Sequence, residues 1–217
     1  MAKNKRLKEL LLENEERLKT GHPAVSQEYQ NIVSRLVAAE AGETCPKIDD
    51  QLPEFQLPDH RGRLISLGDL LTNGPLVLSM NRGHWCSVCR LELTQIEKYS
   101  ERIADLGAGI VAITPESRSY ANRLRDRCGL SFPVLTDVDN GYALSLGLAV
   151  WLGDELKTLF TKNGSDLVHV LATTGWVVPI PATFVVASDG RILDRYVNAD
   201  FRKRKDPEDI LAVLKSL

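Results

Sequence analysis

Several features that would set this chain apart from ordinary globular proteins are missing from its sequence. No apolar run approaches the length of about 18 residues that a membrane-spanning helix requires. Charge of neither sign dominates, because 27 basic and 29 acidic residues leave a net charge of −2. The composition therefore gives no reason to expect binding to nucleic acid or to a membrane surface. We also find no internal repeat and no low-complexity tract.

The first residues lack the pattern of a secretion signal. Basic side chains at the start are followed by Leu10, Leu11 and Leu12, but Glu13 interrupts this apolar run at once. A signal peptide needs an apolar stretch of about 7 to 15 residues after its basic start. We therefore expect a cytoplasmic protein.

Cysteine is scarce, with four residues among 217. In a reducing compartment so few cysteines do not form a disulfide framework. Cys45 and Cys128 stand alone in the chain, and we expect them to be structural or surface thiols. The other two, Cys86 and Cys89, are only three positions apart.

What is present is the composition of a globular protein, 43% hydrophobic and 26% charged. A chain of 217 residues is long enough for one domain with additions. Helical spacing of apolar residues predicts helices over about 3–20 and 25–41. We expect these helices to form an N-terminal extension, residues 1–45, ahead of a domain spanning 46–217. The extension would either pack on the domain or contact a second copy in a homodimer, and the sequence leaves both open.

In the domain, predicted strands alternate with predicted helices. Unbroken apolar runs indicate buried strands at Leu76–Met80 and Gly109–Thr114. Turn signals at Asp59–Gly62 and Ser188–Gly190 predict β-hairpins. A helix should run from the cysteines to about residue 105, and another should close the chain. This order favours an α/β fold with a mixed central sheet flanked by helices.

The cysteine pair falls where a buried strand gives way to a helix. The free N–H groups and positive dipole end of a helix N-terminus favour a thiolate and lower its pKa. The spacing of Cys86 and Cys89 lets one sulfur reach the other, so the pair can alternate between dithiol and disulfide. Trp85 would shield one side of the pair. Arg82 and His84 precede it, where a cation would stabilise a thiolate further.

A structural zinc site and a chance spacing are the alternatives to a redox pair at Cys86 and Cys89. Zinc needs four ligands, yet the chain has no second Cys-x-x-Cys and no His-x-x-His. Such a site would have to recruit Cys45 or Cys128 together with a histidine. A Cys-x-x-Cys within an α/β pattern is more typical of a redox pair, so we expect neither a metal nor a cofactor.

Four stretches of the sequence carry recognisable motifs. Residues 55–62 read Phe-Gln-Leu-Pro-Asp-His-Arg-Gly, and residues 82–93 read Arg-Gly-His-Trp-Cys-Ser-Val-Cys-Arg-Leu-Glu-Leu. Residues 179–186 read Pro-Ile-Pro-Ala-Thr-Phe-Val-Val, and residues 200–211 read Asp-Phe-Arg-Lys-Arg-Lys-Asp-Pro-Glu-Asp-Ile-Leu. Together they resemble the peroxiredoxin superfamily of alkyl hydroperoxide reductase/thiol-specific antioxidant proteins, in particular a subgroup whose motif is Arg-Gly-Gly-Trp-Cys-Pro-Tyr-Cys-Asn-Leu-Glu-Leu. The resemblance implies a thioredoxin-like fold over about residues 50–217.

The resemblance is imperfect at the reactive site. Peroxiredoxins read Pro-x-x-x-Thr-x-x-Cys and have a distant arginine, and these four positions fall here on Arg82, Cys86, Cys89 and Pro181. The missing arginine predicts slow peroxide turnover. Thioredoxins instead carry Trp-Cys-x-x-Cys and a cis-proline that faces the disulfide. Pro181 would take that place, with an ordinary strand-edge proline as the alternative, and Thr183 could contact the site.

The resemblance implies a thiol-dependent peroxidase. A thiolate attacks the peroxide and becomes a sulfenic acid, the partner cysteine closes a Cys86–Cys89 disulfide, and an external thioredoxin or glutathione system reduces it. Alignment to peroxiredoxins makes Cys89 the attacking residue, whereas thioredoxins suggest Cys86, and both remain open. One alternative function is a thiol–disulfide reductase of protein disulfides. The other is a non-enzymatic redox sensor or binding module.

Two further regions receive no role in the site. Lys203 and Arg204 belong to a charged run, which we interpret as a solvated face. Residues 148–178 carry the least pattern in the chain.

Overall fold

The structure is a computed structural model that describes residues 5–164, 167–171 and 175–217. It opens with helices and continues with alternating strands and helices. The strands of this described part are β1 (Gln56–Pro58), β2 (Leu64–Ser66), β3 (Leu76–Met80), β4 (Gly109–Thr114), β5 (Val134–Thr136), β6 (Ala149–Trp151), β7 (Val177–Pro179), β8 (Ala182–Val186) and β9 (Ile192–Val197).

The α-helices lie before the first strand and on both sides of the sheet. A short 3₁₀ turn at Val138–Asn140 precedes one of them. The helices are α1 (Leu7–Gly21), α2 (Pro23–Ala38), α3 (Leu67–Leu71), α4 (Ser87–Glu97), α5 (Ser100–Ala104), α6 (Arg118–Cys128), α7 (Gly141–Ser145), α8 (Asp154–Lys162) and α9 (Pro207–Leu214). Within the described residues no helix is both long and apolar enough to cross a bilayer.

The central sheet has five strands in the order β5-β4-β3-β8-β9. Strand β3 pairs parallel with β4 and antiparallel with β8, and β4 pairs parallel with β5. The edge strand β9 is antiparallel to β8. The prediction of an α/β fold with a mixed central sheet is confirmed.

Strand β3 is central because its residues are apolar on both faces. Leu78 and Met80 belong to the core on one side of the sheet, and Val77 belongs to the core on the other. The second core also contains Leu93 and Ile96 of α4. Burial on both faces explains the nearly unbroken apolar run in the sequence. Helix α4 begins at Ser87, after a loop of six residues that follows the strand.

Both predicted hairpins are present. Strands β1 and β2 pair antiparallel around the Asp59–Gly62 turn. Strands β8 and β9 pair around Ser188–Gly190, where Gly190 has a φ of +88° that suits glycine. The weakly patterned region 148–178 contains strands β6 and β7, which pair antiparallel, and α8.

The single helix expected from the cysteines to about residue 105 is wrong. Helix α4 ends at Glu97, and α5 begins at Ser100. Lys98 and Tyr99 form a turn between the two helices, in which Tyr99 has φ −105° and ψ 0°, and the Tyr99 hydroxyl donates a hydrogen bond to Glu208 of α9 at 3.0 Å. A contact with a distant helix thus divides a segment whose apolar spacing alone looks continuous.

The two N-terminal helices pack on the rest of the chain. Helix α1 contacts α2 and α4, and Leu11 of α1 packs against the cluster formed by Cys86, Val88 and Cys89. The second helix ends at Ala38, earlier than predicted, and Glu40 follows it with a φ of +49°. The division into 1–45 and 46–217 stays a prediction, as does a homodimer contact.

Candidate active site

The cysteine pair lies at the junction between β3 and α4. Cys86 is the N-cap of α4, and its sulfur accepts a hydrogen bond from the backbone N–H of Cys89 at 3.4 Å. The loop before it turns at Gly83, which has a φ of +108°. A Cβ added to Gly83 would lie 2.0 Å from Cδ of Glu116. The loop can therefore adopt this path only with glycine at this position.

Glu116 anchors the loop through His84. Its carboxylate accepts hydrogen bonds from the His84 backbone N–H at 2.9 Å and pairs with Nδ1 of the His84 ring at 2.5 Å. The His84 ring also stacks on Tyr120 at 5.0 Å. Burial raises the pKa of Glu116, although the contacts with His84 oppose that shift. His84 thus turns toward Glu116, and a direct effect of its ring on a thiolate stays a prediction.

Four N–H groups surround the two sulfurs. Besides the Cys89 N–H, the Cys86 sulfur accepts a hydrogen bond from Nη2 of Arg82 at 3.6 Å. The Cys89 sulfur accepts hydrogen bonds from the backbone N–H of Arg82 and from Nη2 of Arg204, each at 3.4 Å. Both cysteines are free thiols, and only 3% of Cys86 and 0% of Cys89 is exposed.

The surroundings separate the pKa values of the two thiols. Burial by itself raises the pKa of Cys86, but the hydrogen bond from the Cys89 thiol and the charges of Arg82 and Arg204 outweigh it. The net result is a Cys86 pKa well below the usual range of a thiol. Burial, the hydrogen bond to Cys86 and the charge on Cys86 hold the pKa of Cys89 well above that range. The surroundings therefore favour the thiolate form at Cys86 and the protonated form at Cys89.

Arg82 is buried under aromatic rings. Only 1% of the residue is exposed. Its guanidinium carbon lies 3.8 Å from the ring centroid of Phe201, 5.4 Å from that of Trp85 and 6.0 Å from that of Tyr29. Trp85 in turn packs edge-on against Phe160. Cation–π contacts of this kind stabilise a desolvated arginine, so the rings keep a permanent positive charge beside the thiolate.

Arg204 reaches the site from the segment before α9. Its Nε lies 2.9 Å from Oε2 of Glu92, and the two side chains are 1% and 2% exposed. Thr183 donates a hydrogen bond to the other Glu92 oxygen at 3.4 Å. Burial raises the pKa of Glu92 to about 7, although Arg204 opposes the shift. The expectation that Arg204 belongs to a solvated face is wrong, because Glu92 and Cys89 hold it inside the protein.

Thr183 and Pro181 lie near the start of β8. Thr183 contacts Glu92 rather than a sulfur. The peptide bond before Pro181 is trans, since no cis bond occurs in the described residues, so the expected cis-proline is wrong. The chain passes almost directly from β7 into β8, and the Ile180 N–H between them bonds to the Leu148 carbonyl at 2.7 Å. That hydrogen bond holds an extended path, which a trans bond continues. A role for Pro181 in the site stays a prediction.

Sequence reasoning missed four residues that shape the site, namely Glu92, Arg204, Tyr29 and Phe201. Only Glu92 had a readable signal, because it follows Cys89 by three positions and therefore shares its helix face with Cys89. The others come from segments far from the cysteines in sequence. Arg204, for example, is 115 positions from Cys89.

A cavity of about 490 Å³ lies beside the site, between α1 and the segment that links β9 to α9. Its walls include Leu11 and Tyr29 from the N-terminal helices, Val88 from α4, and Arg204. Since Val88 packs with both cysteines and Arg204 touches Cys89, the cavity leads from the surface to the neighbourhood of the sulfurs. Its volume is in the range of small-molecule sites.

The described residues contain no group of three or more His, Cys, Asp and Glu side chains that could hold a metal. Cys45 and Cys128 are both buried. The Cys128 sulfur lies 3.8 Å from the backbone oxygen of Arg90. In this part of the chain the zinc alternative therefore has no ligand set.

Comparison with known proteins assigns the chain to a family. The model of the AhpC/TSA family matches residues 48–195. The chain belongs to the AhpC/TSA family. A putative peroxiredoxin of Mycobacterium tuberculosis is 23% identical to this AhpC/TSA protein over 172 residues, which are 79% of this chain and 97% of the relative. The predicted resemblance to peroxiredoxins is confirmed.

Other similarities support the fold and the class of enzyme. The thiol–disulfide oxidoreductase ResA of Bacillus anthracis is 22% identical over 159 residues, 73% of this chain and 74% of that protein. The crystal structure of peroxidoxin BcpB from Mycobacterium tuberculosis superimposes with a TM-score of 0.61 and 22% identity, covering 79% of this chain and 97% of that one. The structure of peroxiredoxin 6 of Arenicola marina superimposes with a TM-score of 0.60 and 15% identity, covering 79% of this chain and 73% of that one. These structures confirm the thioredoxin-like fold.

As a member of the AhpC/TSA family, the protein is a thiol-dependent peroxidase or thiol–disulfide oxidoreductase, as predicted. The family match covers β3, α4 and both cysteines. It leaves out Leu11, Tyr29 and Arg204, which complete the site from outside the matched range. The segments at the two ends of the chain are therefore part of what distinguishes this site.

Proposed function

We propose that this AhpC/TSA protein reduces hydroperoxides with Cys86 as the attacking thiolate and Cys89 as the resolving thiol. The observation that carries the proposal is the opposite displacement of the two pKa values, low for Cys86 and high for Cys89. The thiolate is the reactive form of cysteine. The assignment follows the thioredoxin pattern and departs from the alignment to peroxiredoxins, which points to Cys89.

In the first step the Cys86 thiolate attacks one oxygen of the peroxide, and the O–O bond breaks. The sulfur becomes a sulfenic acid, and the departing oxygen takes up a proton to leave as an alcohol or as water. Negative charge develops on the departing oxygen. The guanidinium groups of Arg82 and Arg204, which touch the two sulfurs, are placed to stabilise that charge. The slow turnover predicted from the missing family arginine stays a prediction, although these two arginines supply positive charge at the site.

In the second step Cys89 loses its proton and attacks the Cys86 sulfur, and water leaves as the disulfide forms. The charge of Cys86 is one cause of the high Cys89 pKa, and that charge disappears when Cys86 is oxidised. The Arg204 guanidinium, 3.4 Å from the Cys89 sulfur, then favours ionisation of Cys89. The two thiols are therefore activated in turn.

An external thiol must return two electrons to the disulfide. We propose a thioredoxin or glutathione system for this step, together with a cytoplasmic location in which such systems keep thiols reduced. Glu92, whose pKa is about 7, lies beside Arg204 and can change its charge at neutral pH as the thiols exchange protons.

A thiol–disulfide reductase is the second candidate, favoured by the Trp85-Cys86-x-x-Cys89 sequence and by the similarity to ResA. Burial of both sulfurs argues against it. The cavity beside Val88 and Arg204 has room for a small peroxide, whereas a disulfide on a folded protein does not reach Cys86, of which only 3% is exposed.

Trapping of the sulfenic acid by dimedone, read by peptide mass spectrometry, tests the proposal. After one equivalent of hydrogen peroxide we expect the adduct at Cys86 in Cys89→Ser, no adduct at Cys89 in Cys86→Ser, and a disulfide in the Cys128→Ser control. An adduct at Cys89 in Cys86→Ser would reverse the assignment. Reduction of insulin with dithiothreitol, without peroxide consumption, would replace the peroxidase by the reductase.

A further inference from the structure

Four ionisable groups share the buried space around the cysteine pair. Arg82 and Arg204 are positive, the surroundings of Cys86 favour its thiolate, and Glu92, with a pKa of about 7, is partly ionised at neutral pH. None of these side chains is more than about 3% exposed. With the pair reduced, the thiolate and the Glu92 carboxylate offset most of the positive charge, which helps charged groups to be tolerated away from water.

The two arginines do not depend on the thiolate equally. Arg204 has Glu92 as its own partner at 2.9 Å. For Arg82, the Cys86 sulfur is the hydrogen-bond acceptor of the side chain, and no described residue accepts a bond from its buried Nε. The remaining neighbours of the guanidinium are aromatic rings. Loss of the negative charge on Cys86 therefore leaves Arg82 without an anionic partner among the residues that the structure describes.

The N-terminal helices help to keep water away from Arg82 and the sulfurs, together with the rings of Phe201 and Trp85. Tyr29 of α2 covers the guanidinium and packs edge-on against Phe201 at 5.3 Å. Leu11 of α1 packs against the cysteine cluster.

One polar link from α1 to the domain is the pair between Glu15 and Arg202 at 3.3 Å, in which the Glu15 side chain is 49% exposed. Exposed pairs of this kind hold weakly. Helix α2 is held more firmly, since its apolar face is buried in a core cluster and Arg35 donates a hydrogen bond to the Trp151 carbonyl at 2.8 Å. Loosening of the two helices would therefore occur chiefly at α1 and at the Tyr29 end of α2.

We propose that α1 and α2 form a redox-dependent cover, closed over the reduced pair and loosened when the Cys86–Cys89 disulfide forms. Disulfide formation removes two electrons and one proton from the thiolate and thiol. When a hydroperoxide is the oxidant, it takes these together with one further proton and leaves as an alcohol and water. The disulfide carries no charge, so the buried group loses the negative charge of the thiolate and its excess positive charge grows. Admitting water to Arg82 relieves that excess.

The cover would let different molecules reach the cysteine pair in its reduced state and in its oxidised state. The closed, reduced site admits a small peroxide through the cavity beside Val88 and Arg204. The loosened, oxidised site exposes the disulfide to a larger thiol reductant. The inference requires that the pair forms a disulfide, and it does not require that a peroxide is the physiological oxidant.

Hydrogen exchange read by mass spectrometry tests the cover on the full-length chain. Diamide forms the disulfide without peroxide, and a thiol count confirms it. We expect amides of α1 and of the Tyr29 end of α2 to exchange at least about ten-fold faster in the oxidised than in the reduced protein, while those of β3 and β4 do not change. Equal exchange of these helical amides in the two states would overturn the proposal. Opening by diamide without any oxidation by peroxide would support the cover and reject the peroxidase.

Two variants separate the charge of Arg82 from the disulfide itself. Cys86→Ser removes the thiolate, so the same amides of α1 and α2 should exchange quickly without an oxidant. Adding Arg82→Met to Cys86→Ser removes the unpaired cation and should restore slow exchange. Cys128→Ser, which changes a buried thiol elsewhere, should behave as the unmodified protein does. Slow exchange in Cys86→Ser, or fast exchange in the double variant, would contradict the mechanism.

Discussion

The guanidinium Nη2 of Arg82 lies 3.6 Å from the sulfur of Cys86, with both side chains buried beneath the N-terminal helices. Arginine is charged at every accessible pH. Because Arg82 is buried, water does not solvate its charge. Its position therefore favours the ionised form of Cys86. The proposed order of attack and the proposed movement of the cover both depend on this pair.

Replacing Arg82 should make Cys86 less reactive. In Arg82→Met we expect the pKa of Cys86 to rise toward its ordinary value, because a cation that lowers it is gone. The rate of reaction with hydrogen peroxide at pH 7 should fall about ten-fold or more, following the loss of thiolate. Stopped-flow fluorescence measures that rate. Arg102→Met, which removes an exposed arginine paired with Glu208, is the control and should react normally. An unchanged rate in Arg82→Met would show that Arg82 does not activate Cys86.

Breaking the pair of Glu92 and Arg204 should destabilise the fold. Glu92→Gln leaves the buried Arg204 guanidinium without its carboxylate, and loss of one partner in such a pair costs about 3 kcal/mol. The free energy of unfolding in urea measures the effect. Glu208→Gln breaks an exposed pair with Arg102 and should change stability much less. Equal losses of unfolding free energy in the two variants would show that the buried pair stabilises the fold no more than the exposed pair does.

The Gly83 turn offers a test of the loop that positions Cys86. In Gly83→Ala the new methyl group would meet Glu116 at 2.0 Å, and we expect a loss of about 3 kcal/mol from the clash and the strained φ. Gly107→Ala is matched to it, since Gly107 also has a positive φ of +75° but no atom within 4 Å of the new Cβ. That variant should lose only about 1 to 2 kcal/mol. If Gly83→Ala and Gly107→Ala lower the free energy of unfolding in urea equally, then Glu116 can move away from the new methyl group without destabilising the fold.

Stability of the reduced protein should depend on pH through Cys86. Its folded-state pKa lies well below the 9.0 of an ordinary thiol, so the unfolded chain binds more protons between these two values. The stabilisation is therefore fully present above about pH 9 and is lost as the pH falls through the folded pKa. The difference in unfolding free energy between the unmodified protein and Cys86→Ser should increase from pH 6 to pH 8. A constant difference would contradict the lowered pKa.

Much of this molecule could be predicted because the signals are local. The apolar run of β3, the turn residues of the two hairpins and the cysteine pair at the start of α4 each lie within one short segment. The chemistry around the pair could not be predicted, because it arises from contacts between distant segments. Arg204 stands in a charged run that is typical of a solvated surface, and its contacts with the distant residues Glu92 and Cys89 lie inside the protein.

The peptide bond before Pro181 is another feature that the sequence could not predict. The match of Pro181 to the cis-proline of thioredoxins rests on order along the chain, whereas the isomer depends on the path between β7 and β8. The break between α4 and α5 has a similar cause, since Tyr99 contacts α9. In both places the outcome is decided by tertiary contacts that a local pattern does not contain.

Titration of the thiolate by its absorbance at 240 nm tests the central claim most directly. In the reduced protein we predict one thiolate with a midpoint well below pH 9, retained in Cys89→Ser and absent in Cys86→Ser, because Cys86 carries the charge beside Arg82. A low midpoint that persists in Cys86→Ser, or a first midpoint near pH 9 in the unmodified protein, would contradict the assignment of Cys86 as the nucleophile.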